Sequence, residues 1–282
     1  MSQQPSETTV STYTTSTGDN LAVHDWHLPV GAQARGKVLI VHGLGEHAGR
    51  YDNLARQLNG WGFAVRSYDH HGHGQSDGKR GALPHATRLV DDLADLVDSA
   101  RHRHPGRPLL LLGHSMGGLV AASAVARDRV RVDGLILSSP AFATWLSPAQ
   151  ALLMAVLPRV APNLVVGNGL DARYLSHDPA VVAAYRADPL VHDRISARLA
   201  RFIGDEGPEV VRRAPQWTVP TLLMYAGADR LVNPAGSRDF AETSPRGVVT
   251  ARCFEPLYHE IFNEADAGPV FDCLRQWLDA RF

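Results

Sequence analysis

Short, nearly continuous apolar runs recur along this chain, each followed by a change to helical periodicity or to a turn. They are Lys37–His42, Phe63–Val65, Pro108–Leu112, Leu135–Leu137 and Pro220–Tyr225, and Val248–Phe254 is a further strand-like run. Runs without apolar/polar alternation suit strands buried on both faces, as in a parallel sheet. Between them, Leu89, Leu93, Leu96, Val97 and Ala100 recur at helical spacing. That segment carries Asp91, Asp92 and Asp95 early and Arg101, His102 and Arg103 late, which complements a helix macrodipole. The alternation predicts an α/β fold, a mostly parallel central sheet flanked by helices. Ahead of it, Thr8–Thr15 and Leu21–Leu28 alternate around Gly18-Asp19-Asn20, a hairpin signal.

The alternation breaks between Ala141 and Val219. Helix-like pieces, Ala180–Ala187 and Ile195–Ile203, lie there, but no strand of the central sheet is evident. The stretch is too apolar for a linker. It is read as a cap, residues 141–219, inserted into a core formed by 1–140 and 220–282. Its most apolar part, Ala141–Gly169, has Arg159 as its only charge and is interrupted by Pro148, Pro158 and Pro162. A spanning helix wants about 20 apolar residues without such breaks. The expectation is a cap over the site, presenting Trp145, Leu146, Leu152, Leu153, Val156 and Leu157 partly outward.

Composition excludes several classes. The 282 residues hold 28 Lys+Arg against 29 Asp+Glu, for a net charge of −1. A nucleic-acid binder should be strongly basic, so no nucleic-acid partner is expected. With 2 Cys, neither a disulfide scaffold nor a Cys-rich zinc module can form. The polar Met1–Asn20 segment lacks the basic and apolar regions of a secretory signal. A cytoplasmic location is expected, with Cys253 and Cys273 as free thiols.

The strongest chemical signal is Gly113-His114-Ser115-Met116-Gly117-Gly118, between the apolar run Leu109–Leu112 and the Ala-rich Leu119–Ala124. Strand, Gly-x-Ser-x-Gly, helix is the setting of a nucleophile elbow. Its glycines leave room for a turn so sharp that side chains would collide. A serine hydroxyl needs a base, and the base an orienting acid. In this architecture they follow in the order acid, then His. Asp229 follows the run ending at Tyr225, and His259 follows the run ending at Phe254. The candidate catalytic set is Ser115, Asp229 and His259. Oxyanion donors are expected from the backbone N–H of Met116 and, in the loop His42-Gly43-Leu44-Gly45-Glu46-His47, of Leu44.

His70, His71 and His73 follow Asp69, the fold could bring His42 and His47 close to them, and the cluster suggests a metallohydrolase as a rival. No further acidic ligand stands at a familiar spacing. Gly72 and Gly74 fit a tight loop instead, and neither a metal nor another cofactor is expected.

These residues carry a family resemblance. The loop His42–His47 with Arg50-Tyr51 resembles the oxyanion loop of monoacylglycerol lipases. Asp69-His70-His71-Gly72-His73-Gly74-Gln75-Ser76 is similar to their Asp-x-x-Gly-x-Gly-x-Ser loop, and the Ser115 hexapeptide to their elbow. Asp188-Pro189-Leu190, Ala228-Asp229-Arg230-Leu231 and Tyr258-His259-Glu260 resemble them too. The resemblance implies an α/β-hydrolase fold with a membrane-facing cap that cleaves esters of glycerol bearing one fatty acyl chain. It implies contact with membranes or lipid aggregates through the cap. It also places Glu46, Arg50 and Tyr185 at the alcohol end of the pocket, where a glycerol hydroxyl could donate to Glu46. The other reading of Glu46 and Arg50 is an ion pair bracing Leu44, and both can hold, because a braced carboxylate keeps spare lone pairs. Mammalian members carry a His where this chain has Phe262 and a Cys where it has Val232, so the polar end of the pocket should differ. A lysophospholipase or broader carboxylesterase is the alternative activity. A serine aminopeptidase-like enzyme and a non-catalytic binder are alternatives of another class. A peptidase would need an acidic anchor for an α-amine, which the cap does not clearly supply.

Overall fold

The computed structural model describes residues 8–103, 106–145 and 156–282. Strand β1 (Thr8–Thr14) and β2 (Asn20–Trp26) form the antiparallel hairpin expected from their alternation. Gly18 adopts φ 89° in the turn, where a side chain would be strained. Then follow β3 (Gly36–Val41), α1 (Asp52–Gly60), β4 (Phe63–Tyr68), α2 (Arg88–Arg103), β5 (Leu109–His114), α3 (Met116–Ala126) and β6 (Gly134–Ser138). After an insertion come β9 (Thr221–Ala226), α6 (Pro234–Thr243), β10 (Val249–Phe254) and α7 (Gly268–Asp279). The insertion holds β7 (Val165–Gly167), α4 (Pro179–Ala187), β8 (Arg194–Ser196) and α5 (Ala197–Arg213).

The sheet order is β1-β2-β4-β3-β5-β6-β9-β10. The hairpin joins β4 antiparallel, and every pairing from β4 to β10 is parallel. Every residue of β3 and β5 is buried. Leu39, Val41 and Leu111 enter one core with α2 and α3, and Val38, Ile40, Leu110 and Leu112 enter the other with α1 and α7. Burial on both faces is why these segments are apolar without alternation. A Leu→Ala change at Leu111 would cost about 2–5 kcal/mol. Helix α3 is buried from Met116 to Val125. Its small side chains let it lie against both the sheet and α5.

Helix α5 departs from the sequence reading. Ile195 belongs to β8, which pairs antiparallel with β7, and the helix starts after the Ser196 cap, whose side chain accepts the Leu199 N–H. It then continues through Gly204, Gly207 and Pro208 to Arg213. Those residues read locally as breakers. Packing overrides them: a Cβ on Gly207 would stand 2.4 Å from the Phe142 carbonyl, so the glycine permits a close approach. Val210, Ala214 and Trp217 are buried in the same core as the sheet. Among the described residues no helix is long and apolar enough to cross a membrane. Leu146, Leu152 and Leu153, expected to face outward, lie outside the described residues.

Candidate active site

Ser115 sits between β5 and α3 with φ 53° and ψ −122°. A non-glycine residue there stores about 1–3 kcal/mol of strain. The surroundings enforce it. A Cβ on Gly113 would lie 2.6 Å from the Gly117 carbonyl oxygen, and one on Gly117 would lie 2.1 Å from that of Val41. No side chain fits at either place. The Ser115 N–H donates to the Ser138 carbonyl (3.0 Å), which fastens the turn to β6.

Asp229 and His259 leave the C-terminal ends of β9 and β10, the edge where groups gather in open α/β sheets. Nδ1 of His259 lies 2.7 Å from Oδ2 of Asp229. The other Asp229 oxygen accepts the N–H groups of Leu231 (2.8 Å) and Val232 (2.9 Å). Both side chains are buried. Burial works against ionised Asp229, yet His259 and the two N–H donors hold its carboxyl below the usual range. Burial also disfavours the His259 cation, but the Asp229 carboxylate outweighs it and raises the imidazole above its ordinary value. With Nδ1–H committed to Asp229, Nε2 is the free base. No hydrogen bond joins His259 to Ser115 in this arrangement. Such bonds often tighten only when substrate binds.

Ser115, His259, Leu44 and Met116 line one cavity of about 460 Å³. Its far walls are apolar, including Trp145, Leu157, Val166 and Leu170 from the insertion. Ile203 and Val232 add to them, and Tyr174 and Arg230 stand among the polar groups. The sequence assigns no role to Tyr174, which belongs to no motif, and none to Arg230, which stands in the Asp229 motif without a signal of its own. The oxyanion-loop backbone comes close to Ser115: a Cβ on Gly43 would lie 3.3 Å from the Ser115 Cβ.

Glu46, Arg50 and Tyr185 are not brought to this cavity. Glu46 accepts the Gly43 N–H (2.6 Å), the Tyr51 hydroxyl (2.6 Å) and an Arg50 N–H. Arg50 also forms a two-pronged pair with Glu260 (2.7 and 2.8 Å), beside His259. Its guanidinium lies 4.7 Å over the Tyr185 ring. The expected ion pair between Glu46 and Arg50 is formed. Together with Glu260 it ties the oxyanion loop to the His259 loop. Burial pushes the Glu46 carboxyl upward, but Arg50 foremost, with His114, His42 and the Tyr51 hydroxyl, more than offsets this and brings it down to about 2. Glu46, Arg50, His114 and Phe262 border a separate void of about 20 Å³, room for about one water. Phe262 itself is buried against Phe271.

The histidine-rich loop is a wedge. His42 donates from Nδ1 to the Gly43 carbonyl (2.7 Å) and accepts the His70 N–H at Nε2 (2.9 Å). Burial lowers the pKa of His42, and that of His70 and His73 much further, which keeps all of them neutral. Asp69 accepts the N–H groups of Ala48 and Gln75, joining the two loops. Among the described residues no group of His, Cys, Asp or Glu is arranged to hold a metal.

A sheet of this order with a serine at its elbow and an Asp-oriented His beside it defines a serine hydrolase of the α/β-hydrolase fold. The family model described as serine aminopeptidase, S33 matches residues 32–266. A monoacylglycerol lipase of Mycolicibacterium smegmatis is 39% identical over 247 residues, 86% of this chain and 88% of that protein. The human monoglyceride lipase is 35% identical over 256 residues, 86% of this chain and 82% of that one. The crystal structure of the Paleococcus ferrophilus monoacylglycerol lipase superposes with a TM-score of 0.81 at 34% identity, covering 98% of this chain and 100% of that one. The chain belongs to the monoacylglycerol lipase family of α/β-hydrolases.

Proposed function

We propose that the protein hydrolyses monoacylglycerols to a free fatty acid and glycerol through an acyl-enzyme on Ser115. The observation that carries this is the strained Ser115 and the Asp229-held His259 facing one end of a largely apolar cavity of about 460 Å³. That size falls within the range of pockets that enclose a single small ligand.

His259 Nε2 takes the Ser115 proton as Oγ attacks the ester carbonyl. Asp229 fixes the ring and stabilises its cation. The amides of Leu44 and Met116 hold the oxyanion, each worth about 3–4 kcal/mol in the transition state. His259 then protonates the leaving glycerol oxygen. Water, deprotonated by His259, attacks the acyl-enzyme and releases the fatty acid. The sequence of steps calls on no metal or other cofactor. Glu46 and Arg50 act by bracing the loop that carries Leu44, and the Tyr185 ring lies under the Arg50 guanidinium.

Residues 141–219 serve as the cap over a core of 1–140 and 220–282, with the C-terminal half of α5 packed into that core. The cap docks on lipid surfaces, where long-chain substrate resides. Trp145 is 54% exposed and Val160 73%, and Val156, Leu164 and Val166 are also exposed. The protein works in the cytoplasm and meets membranes peripherally.

The test pairs a fluorophosphonate label with a substrate panel. The expected result is one adduct at Ser115, loss of turnover on the order of 10⁶ in Ser115→Ala, and a higher kcat/KM for monoacylglycerol than for chain-matched lysophosphatidylcholine or triacylglycerol. An adduct elsewhere would remove the nucleophile assignment. Lysophosphatidylcholine turned over as fast or faster would overturn the substrate alone.

A further inference from the structure

The His259 loop is held from two sides, and only one of them is the Arg50 brace. On the other side it runs along the insertion segment Tyr174–Asp178. The His259 N–H donates to the Tyr174 carbonyl (3.4 Å) and the Glu260 N–H to the Leu175 carbonyl (2.8 Å). One carboxylate gathers donors from both segments. Oε1 of Glu264 accepts the Tyr258 N–H (2.6 Å) and Nδ1–H of His177 (2.9 Å). Oε2 accepts the His177 N–H (2.9 Å) and stands 3.3 Å from the Ser176 hydroxyl, which also donates to the Asn263 carbonyl (2.9 Å). The His177 ring stacks on Tyr258 at 3.6 Å. Glu264 is 7% exposed, so its carboxylate accepts largely out of water, where charge-assisted hydrogen bonds are strong, while the His177 ring is half-buried at the rim.

Tyr258 directly precedes His259, and Tyr174 lines the substrate cavity. We infer that Glu264 is a positioning residue for His259, locking the Tyr258–Glu260 loop to the cap so that the imidazole stays between Asp229 and the Ser115 side of the cavity. A carboxylate is suited to this, because an anion with both oxygens accepting takes all three N–H donors at once. The amide of a glutamine keeps the shape but turns one end into a donor facing other donors. Cap and base are thereby one unit: a cap movement that shifts residues 174–177 also shifts His259. The inference rests on His259 as the general base.

The experiment compares Glu264→Gln, Glu264→Asp, His177→Phe and His259→Ala on a soluble p-nitrophenyl ester, with pH profiles and melting temperatures. Glu264→Gln should lose about 10- to 100-fold in kcat, the scale of an ångström-sized misplacement, with KM little changed and the acid limb displaced. Glu264→Asp, which keeps the charge, should recover part of the loss. His177→Phe keeps the stack on Tyr258 and removes the Nδ1 donor. It should show a smaller loss of the same kind, and it decides the matter where Glu264→Gln does not fold. Wild-type kcat and acid limb in Glu264→Gln, or in His177→Phe if that variant must decide, would make Glu264 merely structural, whatever happens to the melting temperature. In that case an inactive His259→Ala leaves the hydrolase reading standing. An active His259→Ala would remove the reading and the inference together.

Discussion

Asp229 and His259, joined at 2.7 Å between Oδ2 and Nδ1, form a pair whose geometry is set before any substrate arrives. The second Asp229 oxygen is already taken by the Leu231 and Val232 amides, so the carboxylate cannot rotate without breaking two hydrogen bonds. The orientation of the base is therefore built into the turn after β9.

This pair sets the acid limb of activity. Burial opposes the His259 cation, but the Asp229 carboxylate prevails and the pKa lies above 6.5. The neutral ring is the active form, so kcat/KM on a soluble ester should rise with pH through a value above 6.5. Asp229→Asn removes the strongest of the charges that oppose burial and leaves only Glu260 and Glu46, so the limb should move to lower pH. Its kcat should fall by about 10⁴, as expected when the tautomer is wrong. The stability signs run oppositely for the two partners. The raised His259 pKa gives stability that is full below its unfolded value and lost as pH rises through the folded one. The lowered Asp229 pKa gives stability present above 3.8 and lost as pH falls through the folded value. A wild-type limb centred below 6.5 would contradict this account.

The parts of the site written in local pattern were legible in the sequence. The elbow announces itself because Gly113 and Gly117 admit no side chain, and Asp229 and His259 because each follows a strand end. The Glu46–Arg50 half of the brace has helical spacing, but Glu260 joins it from 210 positions away. No local signal marks such a partner. Helix α5 runs on past Ile203 for a related reason: burial of Val210 and the close approach at Gly207 to Phe142 outweigh local propensity. Glu264 follows a motif without belonging to it, and its partners Ser176 and His177 come from the insertion. Tertiary contacts, invisible to periodicity, decide each of these cases.

The brace makes a prediction about Arg50. Glu46 and Glu260 are both buried, and Arg50 is the cation between them. Arg50→Ala would leave two carboxylates near one another without it, and breaking a buried pair in this way costs about 3–5 kcal/mol. The melting temperature should fall sharply. Activity measured well below that temperature should fall as well, because Gly43 and the adjacent Leu44 lose their anchor. Acid behaviour provides a second readout. The Glu46 carboxyl is held at about 2 against an ordinary 4.5, so its stabilisation is full above 4.5 and lost as pH falls through about 2. Glu46→Gln should flatten that part of the stability curve. Unchanged melting and activity in Arg50→Ala would show the brace to be idle.

The exposed rim of the insertion makes the last prediction. Val160 is 73% exposed and Leu164 47%, next to Val156, and Leu157 of the same segment lines the cavity. Apolar side chains left in water beside a cavity mouth mark a surface meant for another phase. Burying a Val or Leu side chain yields about 1.5–3 kcal/mol, so replacing both with a charged residue should weaken partition onto lipid at least about tenfold. Neither side chain is packed in the core, so stability should move by only about 0.5 kcal/mol. The double variant Val160→Asp with Leu164→Asp should therefore sediment poorly with liposomes and turn over long-chain monoacylglycerol slowly, yet cleave a soluble short-chain ester at the wild-type rate. Equal loss on both substrates would mean that these residues support the fold. Undiminished liposome binding would mean that the protein meets lipid through another face.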